Sequence, residues 1–438
     1  MVSKSQNPRK VAVDILNNVL YKKKSLKYLF TEKLLSNFKD IDKAFLTEII
    51  YGVLRNLYYI DWLLEVFFKD KEKLSPFTIN NLRIAIYQLI FMRVPDYAAV
   101  NEAVNIEKIF GGKPTVVNGI LRNFLRKYSK GSAPECQNLS IKYSHPQWLI
   151  DRWIKRFGVE ETKNILKANN EKPPFTIAVK PQERGAVIDY LTKKGFLAKA
   201  TSYSPAAVTI EGQIQNILKT LHESPFFWIV QDEASQLVCF LLEPKEGISV
   251  LDLCASPGGK TILTAVLMER GKILSIEKDK GRFKTLKDNI LRVKKFLPKV
   301  EIEAHLIDLF KLNIKESFDG IILDAPCSST GVIRRNPDVR YRITEEEIFR
   351  LSNIQMKMLE KASKFLKRDG ILIYSVCSTE PEEGEFLVDK FLQKHKEFIT
   401  INSVYPFFES FYLKKGILRS FPHKHGTDGF FMVRLSLR

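Results

Sequence analysis

Cysteine is scarce in this chain of 438 residues, and what there is does not pair up. The five, Cys136, Cys239, Cys254, Cys327 and Cys377, are odd in number and scattered, with no Cys-x-x-Cys and no Cys/His cluster. That pattern excludes a disulfide framework and a structural zinc site, so no metal is expected. An apolar run of membrane-spanning length is also missing, as is a secretory signal. The expected compartment is a reducing cytoplasm. Acidic charge is in deficit: 50 Asp and Glu stand against 69 Lys and Arg, a net charge of +19. About half of that excess lies in residues 1–130 and the rest beyond, which argues for a long basic surface rather than one basic tail. A polyanion is the natural partner, and no basic amphipathic anchor turns that reading toward a membrane. Nucleic acid is therefore expected.

At this length one hydrophobic core is not enough, and two or three domains are expected. Strand signals are nearly absent from the first 130 residues. In "NPRKVAVDILNNVL" Asn7 stands at a cap position and Pro8 at the first helical one, and Val11, Ile15 and Val19 recur at helical spacing. "KAFLTEIIYGVLRNLYYIDWLLEVFF", "PFTINNLRIAIYQLIFM", "AAVNEAVNIEKIF" and "VVNGILRNFLRKY" continue the pattern, so residues 1–130 read as a helical bundle. Arg55, Arg83, Arg122 and Arg126 lie in these helices, each either a solvated charge or a grip on phosphate. "SKGSAPECQN" at 129–138 reads as a linker. It opens a connecting stretch, 131–172, that holds the helical "HPQWLIDRWIKRFG". Strand-like "FTIAVK", "FLAKAT" and "FFWIV" alternate with helical "AVIDYLTKKG" and "IQNILKTL", giving a small α/β module at 173–234. From 235 to 438 strands and helices alternate, which predicts a parallel sheet covered on both faces.

"VLDLCASPGGKT" is a strand, a small glycine-rich turn and a helix start. The phosphate-loop pattern needs a glycine at 254, where Cys254 stands, and GxGxxG is missing too. Nucleoside-triphosphate and nicotinamide readings fall together. An adenosine ligand without phosphates fits better. The next strand ends in Glu277, about 20 residues on, where an acid can hold ribose hydroxyls. Later strands end at Asp308 and Asp324. S-adenosyl-L-methionine has the matching chemistry: adenosine, a cationic sulfonium and no phosphate.

Two cysteines follow two strands. In "LDAPCSSTGVIRRNPD" Cys327 comes just after Asp324, and in "GILIYSVCSTEPEEGE" Cys377 follows the strand through Tyr374. Both sit among Ser, Thr and Pro rather than among Leu and Val, so they read as site residues rather than core filling. A thiol beside a methyl donor on a basic protein points to pyrimidine carbon-5 methylation: a thiolate adding to carbon 6 makes carbon 5 enamine-like. Arg334 and Arg335 read as phosphate grips or surface charge. Tyr374 and Phe430 are core residues or platforms for a flipped base.

"LDLCASPGGKT", "LDAPCSSTGVIRRNPD", "YSVCSTEPEEGE" and "QDEASQ" at 231–236 resemble the Nop2/Sun family of RNA cytosine-5 methyltransferases. "YGVLRN", "AAVNEAV" and "VNGILRNFLR" resemble the NusB-like helical domain fused to its small-subunit ribosomal RNA members. The resemblance implies an α + α/β multidomain chain: a NusB-like bundle, a small RRM-like α/β module and a Rossmann-like class I methyltransferase sheet. It implies Cys377 as nucleophile and Cys327 as the residue that assists product release. It also implies a donor held by Cys254, Ala255, Ser256, Pro257, Gly258, Gly259 and Lys260 and by Glu277, Asp308 and Asp324. The chain departs from the family pattern at Val376 (usually Thr), Ser256 (usually Ala) and Glu277 (usually Asp), and no reacting group is lost. The expectation is an S-adenosylmethionine-dependent cytosine-5 methyltransferase. Its substrate would be 16S ribosomal RNA, unassembled or partly assembled, met by a monomer that touches neither DNA nor membrane. Transfer RNA is the alternative substrate, and an inactive antitermination-like binding module the alternative class.

Overall fold

A computed structural model of the protein describes residues 7–68, 71–128, 133–297 and 299–438. The expected linker at 129–138 starts in residues outside that set. The chain divides into two compact units. One holds the residues up to Lys172 together with Ile333–Arg342, and the other holds Pro173–Val332 and Ile343–Arg438.

Among its described residues the first unit has helices and turns and no strand. Asn7 accepts a hydrogen bond from Arg9 N and Pro8 takes the first helical position of Pro8–Leu20, as the sequence predicts. The long periodic run beginning near Lys43 becomes two helices, Asp40–Arg55 and Leu57–Glu65. Asn56, at φ −119° and ψ 19°, interrupts them, and its side chain caps Gly52 O. Helix Pro76–Phe91, capped by Ser75, is buried around nearly its whole circumference. Helices Pro8–Leu20, Asp40–Arg55, Asp96–Ile109 and Pro114–Lys127 pack against it. Its buried polar side chains all find partners: Asn80 bonds Asn17, Asn81 bonds Ala103 O and Glu107, and Gln88 bonds Ile84 O. Arg83 is neither a solvated charge nor a phosphate grip. It is buried and forks onto both oxygens of Asp61 at 2.7 and 2.6 Å, because a cation in this position must be matched inside the bundle. Arg122 and Arg126 are exposed.

Nothing in the sequence announces that Ile333–Arg342 belongs to this helical unit. Its anchor is Arg340, which is fully buried. The guanidinium donates to Tyr143 O, Ser144 O and Asn170 Oδ1 from one nitrogen and to Asn169 O from the other. Tyr341 Oη reaches Leu54 O, and Asp338 accepts from Leu26 N at 3.2 Å. Arg334 is only 5% exposed, so the surface reading of that residue fails: it lies in a docked segment. Arg335 is half-buried.

The second unit carries two sheets. Strands β1 (Phe175–Ala178), β2 (Leu197–Ala200), β3 (Ala207–Glu211) and β4 (Ile229–Val230) form an antiparallel sheet in the order β2-β3-β1-β4. Helices Arg184–Lys193 and Ile214–His222 contribute Val187, Leu191, Ile217 and Leu221 to the core shared with Ile177, Val208 and Ile210. The expected strand "FFWIV" is shorter than its apolar run, and β3 was not foreseen.

The larger sheet contains β5 (Ser249–Leu253), β6 (Gly271–Glu277), β7 (Val300–Leu306), β8 (Phe318–Asp324), β9 (Leu366–Val376), β10 (Phe398–Thr400), β11 (Tyr412–Lys414), β12 (Ile417–Arg419) and β13 (Phe431–Leu437). The order is β11-β12-β13-β9-β8-β5-β6-β7, with β10 against β13. Strands β7-β6-β5-β8-β9 are parallel, as alternation with helices predicts, and β13 closes antiparallel on β9. Side chains alternate strictly between faces. Val250, Ile322 and Ile373 enter one core, while Leu251, Ile321, Leu323 and Leu372 enter the other. Burial on both sides explains why these strands read as unbroken apolar runs. Edge strand β7 instead shows Glu301, Glu303 and His305 to solvent, charge that discourages pairing with another chain. The order reverses between β5 and β8, and at such a switch point the loops beyond the carboxyl ends leave a crevice.

Candidate active site

Every residue expected to react or to hold the donor, from Cys254 to Cys377, belongs to the second unit, whereas Arg334 and Arg335 belong to the first. The turn after β5 is shaped by backbone. Cys254 has φ +63° and Gly258 φ +105°, and a Cβ on Gly258 would sit 2.9 Å from Leu286 Cδ1. Helix Lys280–Val293 holds the turn from outside. Arg282 donates to Ser256 O at 2.8 Å, Ser256 Oγ donates to Arg282 O at 2.8 Å, and Asn289 donates to Pro257 O at 2.9 Å. Sequence reasoning missed Arg282 and Asn289, since nothing local ties them to a loop some thirty residues earlier.

Glu277, at the end of β6, is 3% exposed. Its Oε1 accepts from Asp279 N at 2.9 Å. Its Oε2 is charge-paired to Arg282 at 3.4 Å but accepts no hydrogen bond. Asp324, at the end of β8, accepts from Lys260 Nζ at 2.7 Å and from Ser375 Oγ at 2.8 Å. Lys260 also donates to Ser235 Oγ and lies over the Phe430 ring, 5.4 Å from its centroid. Burial alone would depress the Lys260 ammonium, but Asp324 outweighs it and its pKa is raised. Asp308 lies two residues beyond β7, and its Oδ1 accepts from Phe310 N in the turn Leu309–Lys311.

The two cysteines meet. Cys327 Sγ and Cys377 Sγ are 3.3 Å apart, both half-buried and both free thiols. The hydrogen bond to Cys377, then burial, lift the Cys327 thiol well above its ordinary pKa, as expected where two thiols share one proton position. Cys254 is pushed up to about 12 by burial and by Glu277, and Cys239, fully buried, also to about 12 by burial. Neither of these last two is a nucleophile.

A polar network lies beneath the thiols. Glu383, fully buried, accepts from Ser328 N at 2.9 Å and Gln355 Nε2 at 2.9 Å on one oxygen, and from the hydroxyls of Ser328 and Ser378 on the other. Gln355 also donates to Pro326 O, and Arg419 donates to Ser378 O. Tyr374 is core: fully buried, its hydroxyl donates to Glu383 O at 2.7 Å, which rules it out as a stacking platform. Phe430 is also packed into the core at 6% exposure.

A doubly wound sheet whose carboxyl edge gathers a glycine turn, two acids and two thiols is the framework of a methyl-transferring enzyme. Comparison with known families gives the particular kind. Residues 239–436 match the 16S rRNA methyltransferase RsmB/F family, 6–126 the NusB family, and 145–217 the ferredoxin-like domain of the RsmF/B-like methyltransferases. The chain is 32% identical to the probable ribosomal RNA small subunit methyltransferase B of Bacillus subtilis (strain 168), with 99% of each chain covered. It is 32% identical to ribosomal RNA small subunit methyltransferase B of Photorhabdus laumondii subsp. laumondii, again with 99% of each covered. The crystal structure of PH0851 matches with a TM-score of 0.79 at 28% identity, over 99% of both chains. The chain belongs to the RsmB/F family of 16S rRNA methyltransferases, and its NusB-like, ferredoxin-like and Rossmann-like parts follow that family's order.

Proposed function

We propose that the protein transfers a methyl group from S-adenosyl-L-methionine to carbon 5 of a cytosine in 16S ribosomal RNA, through a covalent bond from Cys377 to carbon 6. The observation that carries this reading is the thiol pair, 3.3 Å apart at the ends of adjacent parallel strands and beside the turn after β5. Carbon 5 of cytosine is a poor nucleophile. A thiolate that adds to carbon 6 pushes electron density onto carbon 5, which then takes the methyl group. A base then takes the carbon-5 proton, the electron pair of that bond re-forms the ring double bond, the carbon 6–sulfur bond breaks and Cys377 leaves as the thiolate. On the family resemblance Cys377 is the sulfur that attacks and Cys327 the group that serves product release, and the 3.3 Å between them lets both reach one base.

The residues present fit the donor. The glycine turn brings backbone close without a phosphate-binding pattern, and Glu277 offers a buried acceptor oxygen with no hydrogen bond, suited to a ribose hydroxyl. Cys254–Lys260 and Glu277 would hold the adenosine part, with Asp324 and Asp308 bordering the same edge. S-adenosylmethionine supplies an electrophilic methyl group there. Asp324 fixes the Lys260 ammonium, and the pair places opposite charges next to the thiols' strands. The helical residues 1–130 and the module 173–234 are read as the parts that position the RNA.

The test is to incubate the protein with unmodified 16S rRNA and methyl-labelled donor and to locate the product by bisulfite sequencing and nucleoside mass spectrometry. The expected product is 5-methylcytosine at a discrete position. A methyl group found on ribose or on a ring nitrogen would sink the reading.

A further inference from the structure

Glu383 takes no part in the chemistry just described, yet it is the most heavily bonded carboxylate near the thiols. It comes from the same loop as Cys377, six residues on, and reaches across to the loop after β8 that carries Cys327. One of its oxygens takes the backbone N–H of Ser328, next to Cys327, together with Gln355 of helix Glu345–Ser363. The other takes the hydroxyls of Ser328 and of Ser378, next to Cys377. A buried carboxylate is tolerated only when donors surround it, and four donors from three elements do so here. A hydrophobic residue would fill the same volume without aligning anything. The donors, moreover, are the immediate neighbours of both thiols.

We propose that Glu383 is a positioning residue: it clasps the Cys327 and Cys377 loops together and so sets the separation at which the two sulfurs share one reaction. The proposal rests on the reading that both thiols act on the same base.

Two measurements test it. In the first, the full-length protein is treated with diamide, a two-electron oxidant that takes up the two thiol hydrogens, without RNA or donor. Closure of the Cys327–Cys377 disulfide is followed by peptide mass spectrometry. The native protein closes readily. Glu383→Ala closes at least about tenfold more slowly, because its loops are no longer tied. Glu383→Gln stays within about threefold of native: its amide oxygen still takes Ser328 N and Gln355, and the serine hydroxyls can turn to accept from its amide nitrogen. In the second, methyl transfer to 16S rRNA is measured. Glu383→Ala loses about 100-fold in kcat with KM for RNA held within about twofold, the signature of misplaced reacting groups, and Glu383→Gln recovers most of the loss. Closure of Glu383→Ala at the native rate overturns the proposal, as does no closure in the native protein, or a Glu383→Gln no better than Ala. Closure needs no substrate. If closure responds as stated while the RNA product lacks 5-methylcytosine, the clasp stands and the assigned chemistry falls.

Discussion

Gly331 and Gly429 lie back to back: Gly429 N donates to Gly331 O at 2.8 Å, and a Cβ added to Gly331 would stand 2.0 Å from Gly429 O. The neighbour is backbone and cannot swing away. Gly331→Ala is therefore expected to destabilise the protein by about 1–3 kcal/mol, read as a lower urea midpoint. Gly119, within helix Pro114–Lys127, has nothing within 4 Å of an added Cβ. Gly119→Ala should stabilise by about 0.5–1 kcal/mol. Equal shifts in the two variants would show that the close backbone approach does not matter.

Arg340 fixes the Ile333–Arg342 segment with a planar fork that a lysine cannot imitate. Arg340→Lys leaves several buried carbonyls without a donor and should cost roughly 2–4 kcal/mol. Limited proteolysis should then cut between 333 and 342 at protease doses that leave the native chain whole. A native cleavage pattern in the variant would mean that the segment is held by something else.

The parts of the fold read correctly from the sequence are those whose causes are local. Asn7 and Pro8 start a helix within three residues, and the glycine turn and Cys327 follow their strands directly. Four of the larger sheet's parallel strands, buried on both faces, announce themselves as apolar runs; β7, at the edge, was read from its place in the alternation. Features that depend on distant partners were not legible. Glu383 and Ser328 are 55 positions apart, and Arg340 meets Tyr143 across nearly 200. Arg83 looked like any helical arginine because Asp61, its partner, lies on another helix. Strands β10, β11 and β12 have three residues each, too short to show an alternation, and they exist because β13 and its neighbours supply the pairing.

Asp252 should leave a mark on stability as a function of pH. It is buried in β5, receives one hydrogen bond from Thr261, and burial lifts its pKa to about 7. In the unfolded chain it titrates near 4, so between those values the folded state binds more protons than the unfolded one. Stability then falls as pH rises through that window and levels off above about 7. The contribution is of the order of 4 kcal/mol at most. Asp252→Asn removes the titration. The stability difference between variant and native protein should therefore move in the variant's favour from pH 5 to pH 8, measured by urea denaturation at each pH. A difference that does not change with pH would show that the carboxyl is already ionised in the folded state at pH 5.

The two thiols should fail in different ways. Cys377→Ala removes the sulfur that attacks, so no methyl transfer and no protein–RNA adduct are expected. Cys327→Ala leaves attack intact but takes away the second thiol, 3.3 Å from the first. The first methyl group is then delivered, and the enzyme stays bonded to its product, visible as a slow-migrating band on a denaturing gel that ribonuclease digestion shifts back. A single turnover with labelled donor separates the cases: label enters the Cys327→Ala adduct and stays there, while Cys377→Ala takes up none. If the adduct instead accumulates in Cys377→Ala, and Cys327→Ala is inert, the roles are exchanged.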